Sequence, residues 1–150
     1  MENTISVMIA DDHSLLRQGL KQILELERDI VVVAQASNGE EAVQYAEEYK
    51  PDVILMDINM PGMNGLQAIG EIKQKELSSK IIVLTIHEDR EYLFKTLQMG
   101  VEGYVLKDAE PYVLIEAIRS VNAGQSYIQQ NMTSELVKEF NRVTQHNKEK

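Results

Sequence analysis

Five short apolar runs rich in β-branched residues punctuate the chain: ISVMIA at 5–10, IVVVAQA at 30–36, DVILMD at 52–57, KIIVLT at 80–85 and GYVLK at 103–107. Most are apolar on both faces, as strands of a sheet covered on both sides must be. Between them the apolar positions recur every three or four residues. Leu15, Leu16, Gly19, Leu20, Ile23 and Leu24 form the first such stripe, Ala42, Val43 and Ala46 the second, and Leu66, Ile69 and Ile72 the third. Ser37, Asn38 and Glu40 offer a cap ahead of the second helix. A fourth helix is predicted from Asp89 to Met99, with Leu93 and Leu97 inside and Gly100 as its stop. The fifth has Pro111 early, Leu114, Ile115, Ile118 and Val121 inside, and Gly124 beyond its end.

Strand alternating with helix predicts an α/β fold: a parallel sheet with right-handed crossovers and helices on both faces. Ligands of such sheets sit outside the carboxyl ends of the strands, where the strand order reverses. The tail, NMTSELVKEFNRVTQHNKEK, places Met132, Leu136, Phe140 and Val143 at helical spacing. An amphipathic helix fading into a polar end is expected there, an appendage or the start of a linker.

At 150 residues the chain has room for one domain with a proper core and too little for two ordinary ones. With 43% apolar and 26% charged residues it has a globular composition. The net charge of -9 argues against this chain alone gripping a phosphate backbone, which calls for clustered Lys and Arg. There is no cysteine, which excludes disulfides, thiolate metal sites and cysteine nucleophiles. The N-terminus lacks a basic region followed by a long apolar stretch, and no run approaches the roughly 18 residues of a membrane span. The expected location is cytoplasmic, without membrane attachment.

The strand ends concentrate the polar chemistry. The first strand finishes at Asp11 and Asp12, the third at Asp57, the fourth at Thr85 and the fifth at Lys107. Three clustered carboxylates repel one another unless a cation sits among them. Oxygen ligands with water suit Mg²⁺, which takes one or two carboxylates and keeps waters for a phosphate oxygen to displace. Asp57 would then keep a free oxygen as a nucleophile toward phosphorus, with Mg²⁺, Lys107 and Thr85 neutralising charge. The plainer alternative is that any one Asp at a strand end is a solvated turn residue, that Asp12 caps the first helix and that Lys107 is a surface charge. Coincidence of all of them at one edge favours the site.

IADDH, ILMDINMPGMNG, IIVLT and GYVLKD together resemble the receiver domain of two-component response regulators, over about residues 5–124. The resemblance implies a flavodoxin-like, doubly wound (βα)5 sheet of strand order 2-1-3-4-5, here with an extra C-terminal helix. It implies that Asp11 and Asp12 help hold Mg²⁺, that the backbone carbonyl of Asn59 completes the metal site, and that Asp57 accepts phosphate from a sensor histidine kinase. Thr85 would swing toward the phosphoryl oxygen, Lys107 would pair with it, and Tyr104 would rotate inward. Asn59 and His87 occupy positions that the family uses to tune phosphoryl hydrolysis, with a partly exposed loop residue as the equal alternative for His87, and His13 is read as capping or lining the first turn. Met56, Met60 and Met63 are read as packing and loop residues.

DDH, TIHED at residues 85–89, GYVLKDAEP and AGQSYI look most like the NarL/LuxR type of transcriptional regulator. Such proteins dimerise and bind DNA through a C-terminal helix-turn-helix domain after a linker. Residues 1–125 are accordingly expected to be the receiver, and 126–150 a helix and linker toward a domain absent from this chain. Ending at Lys150, the chain is expected to be an excised receiver, with a stand-alone receiver acting by protein contact as the alternative. One departure from the pattern is Ile86, larger than the small residue common after the switch threonine.

Two other classes compete. An aspartate-nucleophile phosphatase has a second Asp two residues after the nucleophile, where this chain has Asn59, which argues for a persistent phosphate and against an enzyme. A nucleotide or flavin binder would need a glycine-rich phosphate loop after a strand, and none is present.

Overall fold

The computed structural model describes residues 4–86, 90–129 and 137–145. His87, Asp89, Met132 and Leu136 of the sequence reading lie outside the described residues. The five βα units follow in order: β1 Ile5–Ala10, α1 Ser14–Leu24, β2 Ile30–Ala36, α2 Gly39–Tyr49, β3 Val53–Asp57, α3 Gly65–Gln74, β4 Lys80–Thr85, α4 Arg90–Gln98, β5 Gly103–Leu106 and α5 Pro111–Asn122. A short β6, Tyr127–Ile128, was not anticipated. It pairs in parallel with β5 and extends the sheet to the order β2-β1-β3-β4-β5-β6.

The expected doubly wound topology is therefore present. β1 pairs with β2 on one side and β3 on the other, so the chain reverses its direction of travel across the sheet at β1. The carboxyl ends of β1 and β3 flank the resulting crevice.

Alternate residues of each strand enter opposite cores. Ile5, Val7, Ile9, Leu55, Ile82, Leu84 and Val105 pack with Leu114, Ala117, Ile118 and Val121 of α5 and with Leu24 of α1. Met8, Ile54, Met56, Ile81 and Val83 face Ala42, Ala46, Ala68, Ile69, Ile72 and Leu93 of α2, α3 and α4. Full burial of one such aliphatic side chain stabilises the fold by about 1.5–3 kcal/mol. With both faces buried, a register slip of one residue would exchange every side chain between the cores. The observed register pairs Ala10 with Met56 and Asp57 with Leu84, which brings Asp11 level with Asp57 at the rim.

Local signals set the helix ends. Asn38 caps α2 by accepting from Glu41 N–H at 2.8 Å. Asn64 and Gln67 form a reciprocal capping box on α3, each bond 3.0 Å long. Pro111 opens α5, and Gly124, at φ +93°, follows its end in a left-handed conformation. Asp12 does not cap α1. The cap position is His13, which makes no side-chain capping bond.

The C-terminal helix is present at 137–145. One residue of its apolar stripe, Phe140, is 58% exposed. With Val137, it lines an open groove against Phe94 and Leu97 of α4, so the aromatic ring covers part of α4 without entering a closed core.

Candidate functional site

Asp11 follows β1 directly and is held from several sides. Its N–H donates to Ala36 O at 2.9 Å, and its carbonyl accepts from the Arg17 guanidinium at 2.6 Å. Its Oδ1 accepts from His13 N–H at 2.8 Å, a tight turn that starts α1. The side chain is fully buried.

Asp57 ends β3 and is 1% exposed. Its Oδ1 accepts from Asn59 N–H at 3.1 Å. Asn59 itself is exposed and enters the site through its backbone. The loop then returns so that Gly65 N–H donates to Ile58 O at 2.9 Å. A Cβ at Gly65 would overlap the Asp57 carbonyl and come within 2.6 Å of Ile58 Cα. Glycine is thus what lets α3 begin flush against the backbone of Asp57.

Lys107 leaves β5 toward the same crevice. Its N–H donates to Thr85 O at 2.8 Å, which ties the ends of β4 and β5 together. Its ammonium lies 2.8 Å from Asp11 Oδ2 and 3.1 Å from Asp57 Oδ2, with the side chain 11% exposed. Thr85 is buried at the tip of β4. Tyr104, opposite Val83, is fully buried in the core on the α4 side. Its ring occupies the inward position in this structure.

One ligand-type atom from each of Asp11, Asp12, His13 and Asp57 lies within 4.8 Å of all the others. Among the described residues these three carboxylates face one ammonium, that of Lys107, so negative charge is in excess. Asp11 Oδ2, Asp12 Oδ1 and Asp57 Oδ2 are buried and meet no hydrogen-bond donor of suitable geometry among the described residues, the first and last having only the ion pair with Lys107. Orphaned oxygens of this kind fit a hard divalent cation.

The electrostatics agree. Burial pushes the Asp57 carboxyl above the ordinary aspartate range, the Lys107 charge pulls the other way, and neighbouring Asp11 adds to the rise. Burial opposes the Lys107 charge, but the carboxylates of Asp11 and Asp57 outweigh it and hold the ammonium above its usual value. A buried, electron-rich carboxylate is therefore kept charged only by cations beside it.

The sequence reading had placed Asp11, Asp12, Asp57, Thr85 and Lys107 at one edge, and all five are there. It did not single out Gly65 or Arg17. The only sequence trace of Gly65 is its place after the capping Asn64, and that of Arg17 is its position four residues beyond His13.

Residues 7–119 match the response regulator receiver domain model. The chain belongs to the response regulator receiver family. The receiver is 45% identical over 142 residues to the transcriptional regulatory protein DegU of Brevibacillus brevis, covering 95% of this chain and 60% of that protein. It is 40% identical over 131 residues to the nitrate/nitrite response regulator protein NarL of Escherichia coli K12, covering 87% of this chain and 61% of NarL. This chain thus spans about three fifths of the length of these curated relatives. Among solved structures, a LuxR-family two-component response regulator from Aurantimonas sp. SI85-9A1 superposes with a TM-score of 0.86 at 31% identity, covering 91% of this chain and 97% of that one.

Proposed function

We propose that this receiver is a phosphorylation-dependent switch of a two-component transcriptional regulator, in which Asp57 accepts a phosphoryl group from a sensor histidine kinase. The observation that carries the reading is the Asp57 carboxylate buried at a strand tip between an ammonium and an acidic cluster. A solvated turn residue has no use for that setting.

Asp11, Asp12, Asp57 and the Asn59 backbone carbonyl would hold Mg²⁺. When bound, Mg²⁺ neutralises the charge on the transferring phosphoryl oxygens. The chain's own residues do the remainder. An Asp57 oxygen attacks phosphorus, the bond from phosphorus to the donor nitrogen breaks, and its electron pair stays with the leaving imidazole. Asn59 N–H on Oδ1 fixes the carboxylate rotation for this attack. Lys107, freed from its ion pair with Asp57, follows the new negative charge onto the phosphoryl group, and the Thr85 hydroxyl donates to another oxygen. Tyr104, already inward, keeps its buried position beside the moved Thr85, and His87 and Asn59 set how fast water removes the phosphate.

The output is self-association of receivers, with DNA bound through a C-terminal domain beyond this chain. A relative named as a transcriptional regulatory protein supports the DNA-directed output. No helix among the described residues is long and apolar enough to cross a membrane, and the proposed location is the cytoplasm. Asn59, where a phosphatase of the aspartate-nucleophile class has its acid, supports a stored phosphate over turnover. The test is intact mass after incubation with Mg²⁺ and a small phosphodonor: one phosphoryl adduct, lost with a chelator and in Asp57→Asn.

A further inference from the structure

The side chain of His13 is 67% exposed, yet its ring stands against the acidic cluster. Nδ1 lies 3.0 Å from Asp11 Oδ1 and 3.3 Å from Asp12 Oδ1. The His13 backbone cannot drift away, because its N–H is bonded to Asp11 Oδ1 at 2.8 Å. Adjacent ligands of an octahedral ion with bonds of about 2.1 Å stand about 3 Å apart. Nδ1 therefore stands from each of the two oxygens at the spacing of neighbouring ligands around one ion, which is also the spacing at which a protonated Nδ1 donates to Asp11 Oδ1.

We propose that His13 Nδ1 is an additional ligand of the divalent-cation site, making it a mixed nitrogen and oxygen site that prefers transition ions such as Co²⁺ or Zn²⁺ over Mg²⁺. The inference rests on the reading of the acidic cluster as a cation site. Two observations support it. The Asp57 side chain is 2% exposed, and its Oδ2 meets no hydrogen-bond donor of suitable geometry, only the ion pair with Lys107. His13 is the one group of the four that is not a hard oxygen donor.

The selectivity follows from ligand chemistry. Mg²⁺ is satisfied by carboxylates and water and gains little from an imidazole. First-row ions later in the series gain a strong bond to the same nitrogen. Ligation needs Nδ1 to exchange its hydrogen bond with Asp11 Oδ1 for the ion, with the ring proton on Nε2, on a side chain that faces solvent. Lys107 approaches Asp11 through Oδ2, opposite the oxygen that faces His13, so the ammonium does not compete for this position.

Calorimetric titration of the 150-residue chain, stripped with a chelator, with CoCl₂ and with MgCl₂ separates the possibilities. His13→Ala is expected to weaken Co²⁺ by about tenfold or more and to leave Mg²⁺ within about twofold. The visible absorption of bound Co²⁺ should also change, since it reports the loss of a nitrogen ligand. Equal weakening of both ions would make His13 a hydrogen-bonding support for the carboxylates and overturn the proposal. So would unchanged Co²⁺ affinity and spectrum. Failure of the cation-site reading looks different: neither ion binds the unaltered chain, or Asp57→Asn affects neither.

Discussion

Lys107 Nζ lies 3.1 Å from Asp57 Oδ2 and, on its other side, 2.8 Å from Asp11 Oδ2. One ammonium thus bridges the ends of β1 and β3, the two strands between which the sheet reverses its order. The bridge holds a cation against the Asp57 carboxylate, and it is made of the group that has most reason to move if Asp57 takes up a phosphoryl group as proposed.

Lys107→Met keeps most of the aliphatic stem and removes the charge. Asp11 and Asp57 are then buried without a cation, and breaking a buried pair by removing one partner costs about 3–5 kcal/mol. Urea unfolding in chelator should show a loss of that order, with Mg²⁺ restoring part of it. An unchanged midpoint would mean that the bridge is not holding the carboxylates.

Asp57→Asn acts in the opposite direction. A carboxyl whose pKa is raised by folding favours the folded state when protonated. Its penalty is absent below the unfolded pKa and grows as pH rises through the folded one. In chelator near neutral pH, Asp57→Asn should raise the unfolding temperature by roughly 2–5 °C, and the gain should vanish as pH falls below the carboxylate range. Mg²⁺ should stabilise the unaltered chain far more than the variant. A variant less stable than the parent at neutral pH would contradict the raised pKa.

Gly65→Ala drives a methyl group into the backbone of Asp57. A loss of about 1–3 kcal/mol is expected, along with weaker Mg²⁺ binding, because the carboxylate must shift with its main chain. Gly19→Ala is the control: nothing lies within 4 Å of its added Cβ, in the middle of α1. It should stabilise by about 0.5–1 kcal/mol. Equal effects at the two glycines in thermal unfolding would remove the argument for close approach.

The parts of this fold that repeat with a period were legible before any coordinates. Ile30–Ala36 reads as β2 from end to end because a run of β-branched residues has few other uses. Asp57 stood out because it closes such a run with a charge. β6 did not stand out: Tyr127 and Ile128 make a strand of two residues, held by Tyr127 N–H on Glu102 O at 3.0 Å, and two residues carry no period. The role of Gly65 was also hidden, since it depends on α3 returning to touch β3. Phe140 stands in an apolar stripe on spacing alone, and spacing does not say how far the ring is covered, which depends on the surface of α4 that the helix meets.

Asp57 is proposed as the residue that carries the phosphoryl group. After incubation with Mg²⁺ and a small phosphodonor, borohydride reduction converts an acyl phosphate on aspartate to homoserine, and peptide mass mapping locates it. Homoserine at position 57 alone, absent without donor, is the expected result. Phosphorylated protein with unreduced Asp57, or with homoserine at position 11 or 12, would contradict the account.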